Sequence, residues 1–290
     1  MFKAKSLIAI VVAVLLVGGG LYYYRGAEGK PAPSAAARAT SDVLVFTSPP
    51  RESAEEAELT YKPIAEYLSR VTGKRVVYKY PGTWGVYRTE MLNDAYDVVF
   101  DGPHFVDYRV QKLRHNVLAK LPEIHEFVIV VRQDEKLQSA AELAGKTFCS
   151  QSPPNLGSLI VLSQFHNASR QPILVPTKGW KEIYDGVMSR RCVGGVMPLA
   201  NLTKFDQDEK HTRVIFKNRG IPNQAFTASS RVTPEDQAKI AAALTAPEAT
   251  VPTEKLRARF NVTERLVTAN NAEYAGISDY LRGEFGFFQQ

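Results

Sequence analysis

The chain has 290 residues, of which 44% are hydrophobic and 23% charged, ordinary values for a globular protein with one large core or two modest ones. Its formal charge is +6, and Lys3, Lys5, Arg25 and Lys30 against Glu28 account for +3 of that. The charge left on the body is too weak to argue for a nucleic-acid partner.

The N-terminus separates from the rest by composition. Met1–Lys5 is a basic flank, Ser6–Tyr24 is uncharged and mostly apolar, and Lys30–Thr40 is a Pro/Ala/Ser linker. A signal peptide has a shorter apolar core before a small-residue cleavage site, and a membrane span needs about 20 residues. The run at 6–24 fits both. Tyr22–Tyr24 would serve as an interfacial belt, and the small residues at 18–20 or 34–37 would suit a signal peptidase. Residues 1–41 are therefore expected to be a signal peptide or membrane anchor plus linker, with the body exported in either case. No Cys follows the apolar run, which argues against a lipid-modified N-terminus.

The body opens with a strand, Val43–Phe46. A helix from Ala54 to Val71 follows, with Leu59, Ile64, Tyr67 and Leu68 near helical spacing and Gly73 as its stop. Arg75–Tyr80 reads as a strand, Thr83–Asn93 as a helix and Asp97–Phe100 as a third strand. This alternation implies parallel strands with helical crossovers. Asp101-Gly102-Pro103 breaks the strand, and His104–Lys112 has the spacing of a short helix. A strand end, a tight break and a helix start make a crevice of the kind in which open α/β sheets bind ligands.

Phe127–Val131 reads as a buried strand, and the composition turns polar at Arg132. The alternation then repeats. Strands are expected at Lys146–Cys149, Pro172–Val175, Cys192–Met197 and Arg213–Phe216, with helices at Asn155–Phe165 and Trp180–Arg190 and a loop after Pro198. Ile221–Gln224 reads as a return crossing and Ala225–Ser230 as a strand. Helices are expected at Pro234–Leu244, Pro252–Ala258 and Ala272–Phe285. The reading is an α/β protein of two lobes with two hinge crossings and a cleft between them. Lobe one is 42–131 plus 225–290, and lobe two is 132–224. Hinged closure around a ligand is known behaviour of such an architecture.

The candidate ligand-binding residues are those at the strand-to-helix corners. Ser48, Pro50 and Arg51 form the first, with Arg51 the one obvious cleft cation. Trp84 and Tyr87 form the second, and Asp101, Gly102, Pro103 and His104 the third. Ser152, Asn155, Gly157 and Ser158 come from lobe two, with Trp180 and Asn201. Asn155 suits a helix N-cap whose first-turn N–H groups make an anion site, or simply a capped helix. Trp84 and Trp180 would stack on a ligand or pack in the core. Asp101 would bind a ligand cation or hydroxyl, or cap the next turn. His104 reads equally as a hydrogen-bonded structural histidine.

Cys149 and Cys192, both on expected strands of lobe two, are a disulfide candidate in an exported protein, or two buried thiols. Two distant Cys and scattered His give no metal site, and no cofactor motif is present. Gly-x-Ser-x-Gly and His-Glu-x-x-His are both missing, and no serine pairs with a base, so no enzyme is expected.

Ser48-Pro-Pro, Tyr61–Ser69, Thr72-Gly73, Asp97–Tyr108 and Pro153–Gly157 together resemble the phosphonate-binding-protein-like family of periplasmic solute-binding proteins, over roughly residues 42 to 285. Those proteins serve ABC transporters for phosphate, phosphite and phosphonate. The resemblance implies a type II periplasmic binding-protein fold, a small solute clamped between lobes, and an ABC permease as partner. The alternative is a membrane-tethered ligand sensor or accessory protein that uses the same closure. Several positions depart from the family. Its Ser-Thr-Ser run is matched by Pro154-Asn155-Leu156, its histidine at the next corner by Trp180, and its aromatic at the third strand end by Asp101. Its aromatic after the second strand is conserved in kind as Trp84, and an acidic residue near the return crossing gives way to the neutral amides of Asn223 and Gln224. On these residues a less charged, partly apolar or cationic solute is expected.

Overall fold

Short apolar strands that alternate with amphipathic helices must bury one sheet face under helices, and here they do so twice. The computed structural model describes residues 42–208, 210–283 and 287. The expected signal peptide or anchor at 1–41 lies outside them. Among the described residues no helix is long and apolar enough to cross a membrane.

The first sheet takes β1 (Val43–Thr47), β2 (Arg75–Tyr78), β3 (Val98–Asp101), β4 (Asn116–Lys120), β12 (Ala225–Ala228) and β13 (Val267–Thr268) in the order β13-β4-β12-β3-β1-β2. β2, β1 and β3 are parallel, as the alternation required, and β12 runs antiparallel between β3 and β4. Three helices make the crossovers: α1 (Ala54–Thr72), α2 (Trp84–Leu92) and α3 (Pro103–Leu113). α1 starts on a capping box, Ser53 with Glu56, and stops at Gly73, whose φ of 70° is the left-handed conformation that glycine adopts freely. Its buried face, Ala57, Tyr61, Ile64 and Leu68, packs on Phe46, Tyr78, Phe100 and Phe226. Tyr61 and Tyr78 stack at 5.1 Å, and Phe100 meets Phe226 at 4.8 Å.

The second sheet takes β6 (Phe127–Arg132), β7 (Thr147–Ser150), β8 (Ile173–Pro176), β9 (Gly194–Pro198) and β10 (Thr212–Lys217) in the order β10-β6-β9-β7-β8. Its helices are α4 (Leu156–Leu162), α5 (Trp180–Met188) and α6 (Leu199–Phe205). The chain passes between the sheets twice, and the two passages pair antiparallel as β5 (Ile124–His125) with β11 (Ile221–Pro222). The remaining helices, α7 (Pro234–Thr245) and α8 (Glu254–Arg259), cover the first sheet. Part of the seam is apolar: Phe127, Ile129, Phe148 and Val196 of the second sheet form one cluster with Val106, Val117 and Tyr274.

Several expectations are corrected. The first crossing was expected at Arg132, but β6 pairs with β9 and β10 in the second sheet, so the passage occurs earlier, at β5. A continuous apolar run says that a strand is buried and not which sheet buries it. β4 was not expected. Cys192 sits in the turn before β9 rather than on it. The segment after Pro198 is the helix α6, not a loop. The single helix expected over Ala272–Phe285 is replaced, in its described part, by two 3-10 turns, Asn271–Tyr274 and Ile277–Leu281. Gly276, at φ 84°, separates them, a conformation that no helix interior accepts.

Cys149 and Cys192 are joined in a disulfide, with their Cα atoms 5.6 Å apart. The bridge ties β7 to the turn between α5 and β9 across 43 residues of sequence. A loop of that size corresponds to about 4 kcal/mol in the chain-entropy account. We predict that the Cys149→Ser/Cys192→Ser double variant loses about 2–4 kcal/mol in urea unfolding, with lobe two opening first in hydrogen exchange. An unchanged midpoint would contradict this.

Candidate ligand site between the lobes

The β3–α3 corner is the centre of the site. Gly102 is the N-cap of α3 and Pro103 its first residue, where a missing N–H costs nothing. Asp101, the last residue of β3, is fully buried and does not present a free carboxylate to a cleft. Its Oδ2 accepts from the fully buried Arg109 Nε at 3.2 Å and from the Tyr87 hydroxyl in a short hydrogen bond. Its Oδ1 accepts from the Gly102 N–H at 2.9 Å and lies 3.9 Å from an Arg51 Nη. Arg109 also donates to the Tyr87 hydroxyl at 3.0 Å. Burial raises the Asp101 carboxyl above its ordinary range, and Arg109, Arg51 and Tyr87 pull against that. The carboxylate expected to bind a ligand cation or hydroxyl is thus engaged inside lobe one by Arg109 of the following helix.

His104 crosses the seam. Its Nε2 lies 3.0 Å from the Pro154 carbonyl oxygen of lobe two. A carbonyl only accepts, so Nε2 carries the proton and Nδ1 is a bare acceptor, without a hydrogen-bond partner. Burial, followed by the nearby Arg51 cation, pushes the His104 pKa down to about 3. Arg51 reaches Gln224 at the return crossing, Nη2 to Oε1 3.4 Å, while its Nη1 is buried without a partner. A Cβ on Gly102 would lie 3.0 Å from His104 Cε1 and 3.2 Å from an Arg51 Nη, so glycine is what lets these two side chains converge. Burial, followed by the same Arg51 cation, lowers the pKa of His125 of β5 to about 4, and its ring meets the Phe127 ring edge-on at 4.6 Å.

Beside this polar seam is a cavity of about 120 Å³ lined by Trp84, Gly85, Tyr87, Arg88, Phe105, Pro154 and Phe287. Trp84 opens α2, capped by Thr83, and meets Tyr87 edge-on at 6.0 Å and Phe105 at 6.3 Å. Phe105 in turn packs on the His104 ring at 4.1 Å. The cavity and the polar seam therefore share a wall made of Phe105 and Pro154.

The structure brings Arg51, Tyr87, Asp101, Gly102, Pro103 and His104 together, and sets Trp84 beside them. Other candidates point elsewhere. Ser48 is fully buried, with its hydroxyl 2.8 Å from that of Tyr78. Ser158 donates to the Gln151 carbonyl, and Ser152 is exposed. Asn155 caps α4, accepting from the Gly157 N–H at 2.9 Å, and its amide donates to Gln151 at 2.6 Å. Gly157 rests on the Phe127 ring, 3.1 Å from where its Cβ would be, and Trp180 meets the same ring edge-on at 6.1 Å. Pro50 and Asn201 are half-exposed. Four residues with a place at the site went unnoticed in the sequence: Arg88, Phe105, Arg109 and Phe287. Arg88 had a signal, since it lies one helical turn after Trp84 on the same face.

A model of the family described as ABC transporter, phosphonate, periplasmic substrate-binding protein matches residues 46–274. The chain belongs to this family. Solved structures agree on the fold. XAC2383 from Xanthomonas citri, bound to ATP, has a TM-score of 0.66 at 13% identity, covering 83% of this chain and 98% of that one. PhnD1 from Prochlorococcus marinus, in complex with methylphosphonate, has 0.62 at 15% identity, covering 83% and 97%. A binding protein component of an ABC phosphonate transporter from Pseudomonas aeruginosa has 0.58 at 15% identity, covering 82% and 85%. No curated protein matches the chain. The family's architecture is the type II periplasmic binding-protein fold expected from the resemblance, and its members are transport receptors rather than enzymes.

A buried neutral imidazole makes stability depend on pH with a definite sign. His104 titrates near 3 and His115 near 4 when folded, the latter from burial, with Asp94 and Arg109 as lesser influences. Both titrate near 6.5 when unfolded. The unfolded chain therefore binds more protons below about pH 6.5, and stability is lost as pH falls from there toward 4. Each imidazole contributes up to about 1.4 kcal/mol per pH unit in that window. His104→Gln is expected to flatten the stability–pH slope between pH 6 and 4.5 by close to one proton. A slope identical to that of the parent protein would contradict the buried neutral assignment.

Proposed function

We propose that the protein is the periplasmic solute-binding component of an ABC-type uptake system, closing its two lobes around a small solute at the ends of β1, β3 and β7. The observation that carries this reading is the contact of His104 with the Pro154 carbonyl. It joins the lobe-one corner to the lobe-two corner beside a lined cavity, with the β5–β11 pair as the hinge. Family membership supports the same reading. A permease partner and an exported location belong to the proposal, since both follow from the family.

The fold leaves the solute open. One structure of this fold carries ATP and another methylphosphonate, so the pocket side chains must decide. Here the hydroxyl run of the family is replaced by Pro154, Asn155 and Leu156, and the cavity is walled by Trp84, Tyr87 and Phe105. A partly apolar solute fits these walls.

Thermal-shift screening of the purified protein tests the reading. The panel is phosphate, phosphite, methylphosphonate, and neutral and cationic metabolites. A solute at one hundred times its Kd stabilises the folded state by about 2.7 kcal/mol, which moves the melting temperature by several degrees. At least one class is expected to do this, and Trp84→Ala is expected to reduce the shift. Uniform silence across the panel would overturn a solute-binding role.

A further inference from the structure

His104 bridges the lobes, and its hydrogen bond fixes which ring nitrogen can take up a proton. Nε2 already carries one, donated to the Pro154 carbonyl oxygen at 3.0 Å, so a second proton must go to Nδ1. That atom is buried and has no hydrogen-bond partner.

The surroundings of Nδ1 disfavour that proton. From lobe one, the Arg51 cation of the first corner and the His125 ring of β5 both oppose a charge on His104. Arg51 comes close: a Cβ on Gly102 would lie 3.2 Å from His104 Nδ1 and 3.2 Å from an Arg51 Nη. The carboxylates near Arg51 are engaged elsewhere. Glu52 Oε2 lies 2.8 Å from an Arg259 Nη, and Asp101, 3.9 Å from Arg51, is bonded to Arg109, Tyr87 and Gly102. Lobe two presents the Pro154 carbonyl, already taken by Nε2. With the lobes in contact, a proton on Nδ1 is a buried donor without an acceptor, set beside a guanidinium. Parting the lobes lets water reach the ring and removes that cost.

We infer that His104 is a proton-linked latch: it must be neutral while the lobes touch, so closure expels a proton and acid opens the cleft. The inference rests on the hinged two-lobe reading above and adds a means by which pH sets how long the cleft stays shut. The sign follows from linkage. The ring titrates near 3 with the lobes in contact and at about 6.5 in water, so the open form binds more protons between those values. One proton raises the ratio of open to closed molecules about thirtyfold from pH 7.5 to pH 5. Opening and unfolding are separable, because His115 is bonded to Asp94 and Thr227, both at 3.1 Å, wholly within lobe one.

The test is single-molecule energy transfer in the solute-free protein at pH 7.5 and pH 5. Dyes are attached at Leu59→Cys on α1 and Ile173→Cys on β8, both exposed, and circular dichroism checks that the fold is kept at pH 5. An open population is expected to gain about thirtyfold on the closed one as the pH falls. His104→Gln still offers the Pro154 carbonyl a donor but does not titrate, and is expected to lose the gain. Arg51→Met removes the cation facing Nδ1 and is expected to shrink it, and His115→Gln to leave it whole. Populations that do not change with pH would overturn the inference, as would a gain that persists in His104→Gln or disappears in His115→Gln. If His104→Gln does not fold, equal gains in the parent protein and Arg51→Met would overturn it. No solute enters the measurement, so its failure leaves a positive thermal-shift panel standing, and a silent panel leaves the latch to be judged on its own.

Discussion

The Asp101–Arg109 pair, fully shielded from water, fixes the geometry on which the site depends. A buried carboxylate is tolerated only when its lone pairs are occupied, and here a guanidinium, a phenol and a backbone N–H occupy them. Those bonds tie the end of β3 to the middle of α3 and to α2. They thereby set the direction in which α3 begins, and so the position of His104. They also hold Tyr87, which with Trp84 forms the wall of the adjoining cavity. A corner built on such a cluster is stiff, as a receptor site needs.

Across the seam the construction is different. Lobe two offers backbone and small groups, the Pro154 carbonyl and the capped start of α4, rather than a row of side-chain donors. Ser158 and Asn155 turn their polar atoms toward Gln151. Lobe two thus meets the seam with backbone and capped groups, while lobe one lines most of the cavity through α2 and the β3–α3 corner. Family membership and the two-sheet architecture place the chain among transport receptors, while these side chains set it apart from a hydroxyl-lined anion site.

Much of this was legible in the sequence because it depends on local signals. The strand–helix alternation, the stop at Gly73, the Asn155 cap and the Gly102–Pro103 break are decided by neighbouring residues, and the structure has them where expected. The cysteine pair was legible too, from an even count in an exported chain. What failed required knowledge of distant partners. Phe127–Arg132 reads as a buried strand, but only its pairing with β9 and β10 assigns it to the second sheet. Asp101 reads as a cleft carboxylate until Arg109, eight residues later, is seen to point back at it. Ser48 and Ser158 lie at the right corners, yet their hydroxyls are taken by Tyr78 and by the Gln151 carbonyl. Phe287 could not be anticipated at all, since nothing local ties it to Phe105.

Closure of one lobe on the other over a solute is the central claim, and the distance between lobes reports it most directly. Spin labels at Leu59→Cys on α1 and Ile173→Cys on β8 would be placed at exposed positions of separate lobes, 53% and 59% accessible, with the native cysteines held in their disulfide. Pulsed electron–electron resonance would then be recorded without solute and with the compound that most raises the melting temperature. The account predicts a distribution that narrows and shifts by several ångströms when the solute is added. Superimposable distributions at saturating solute would contradict it.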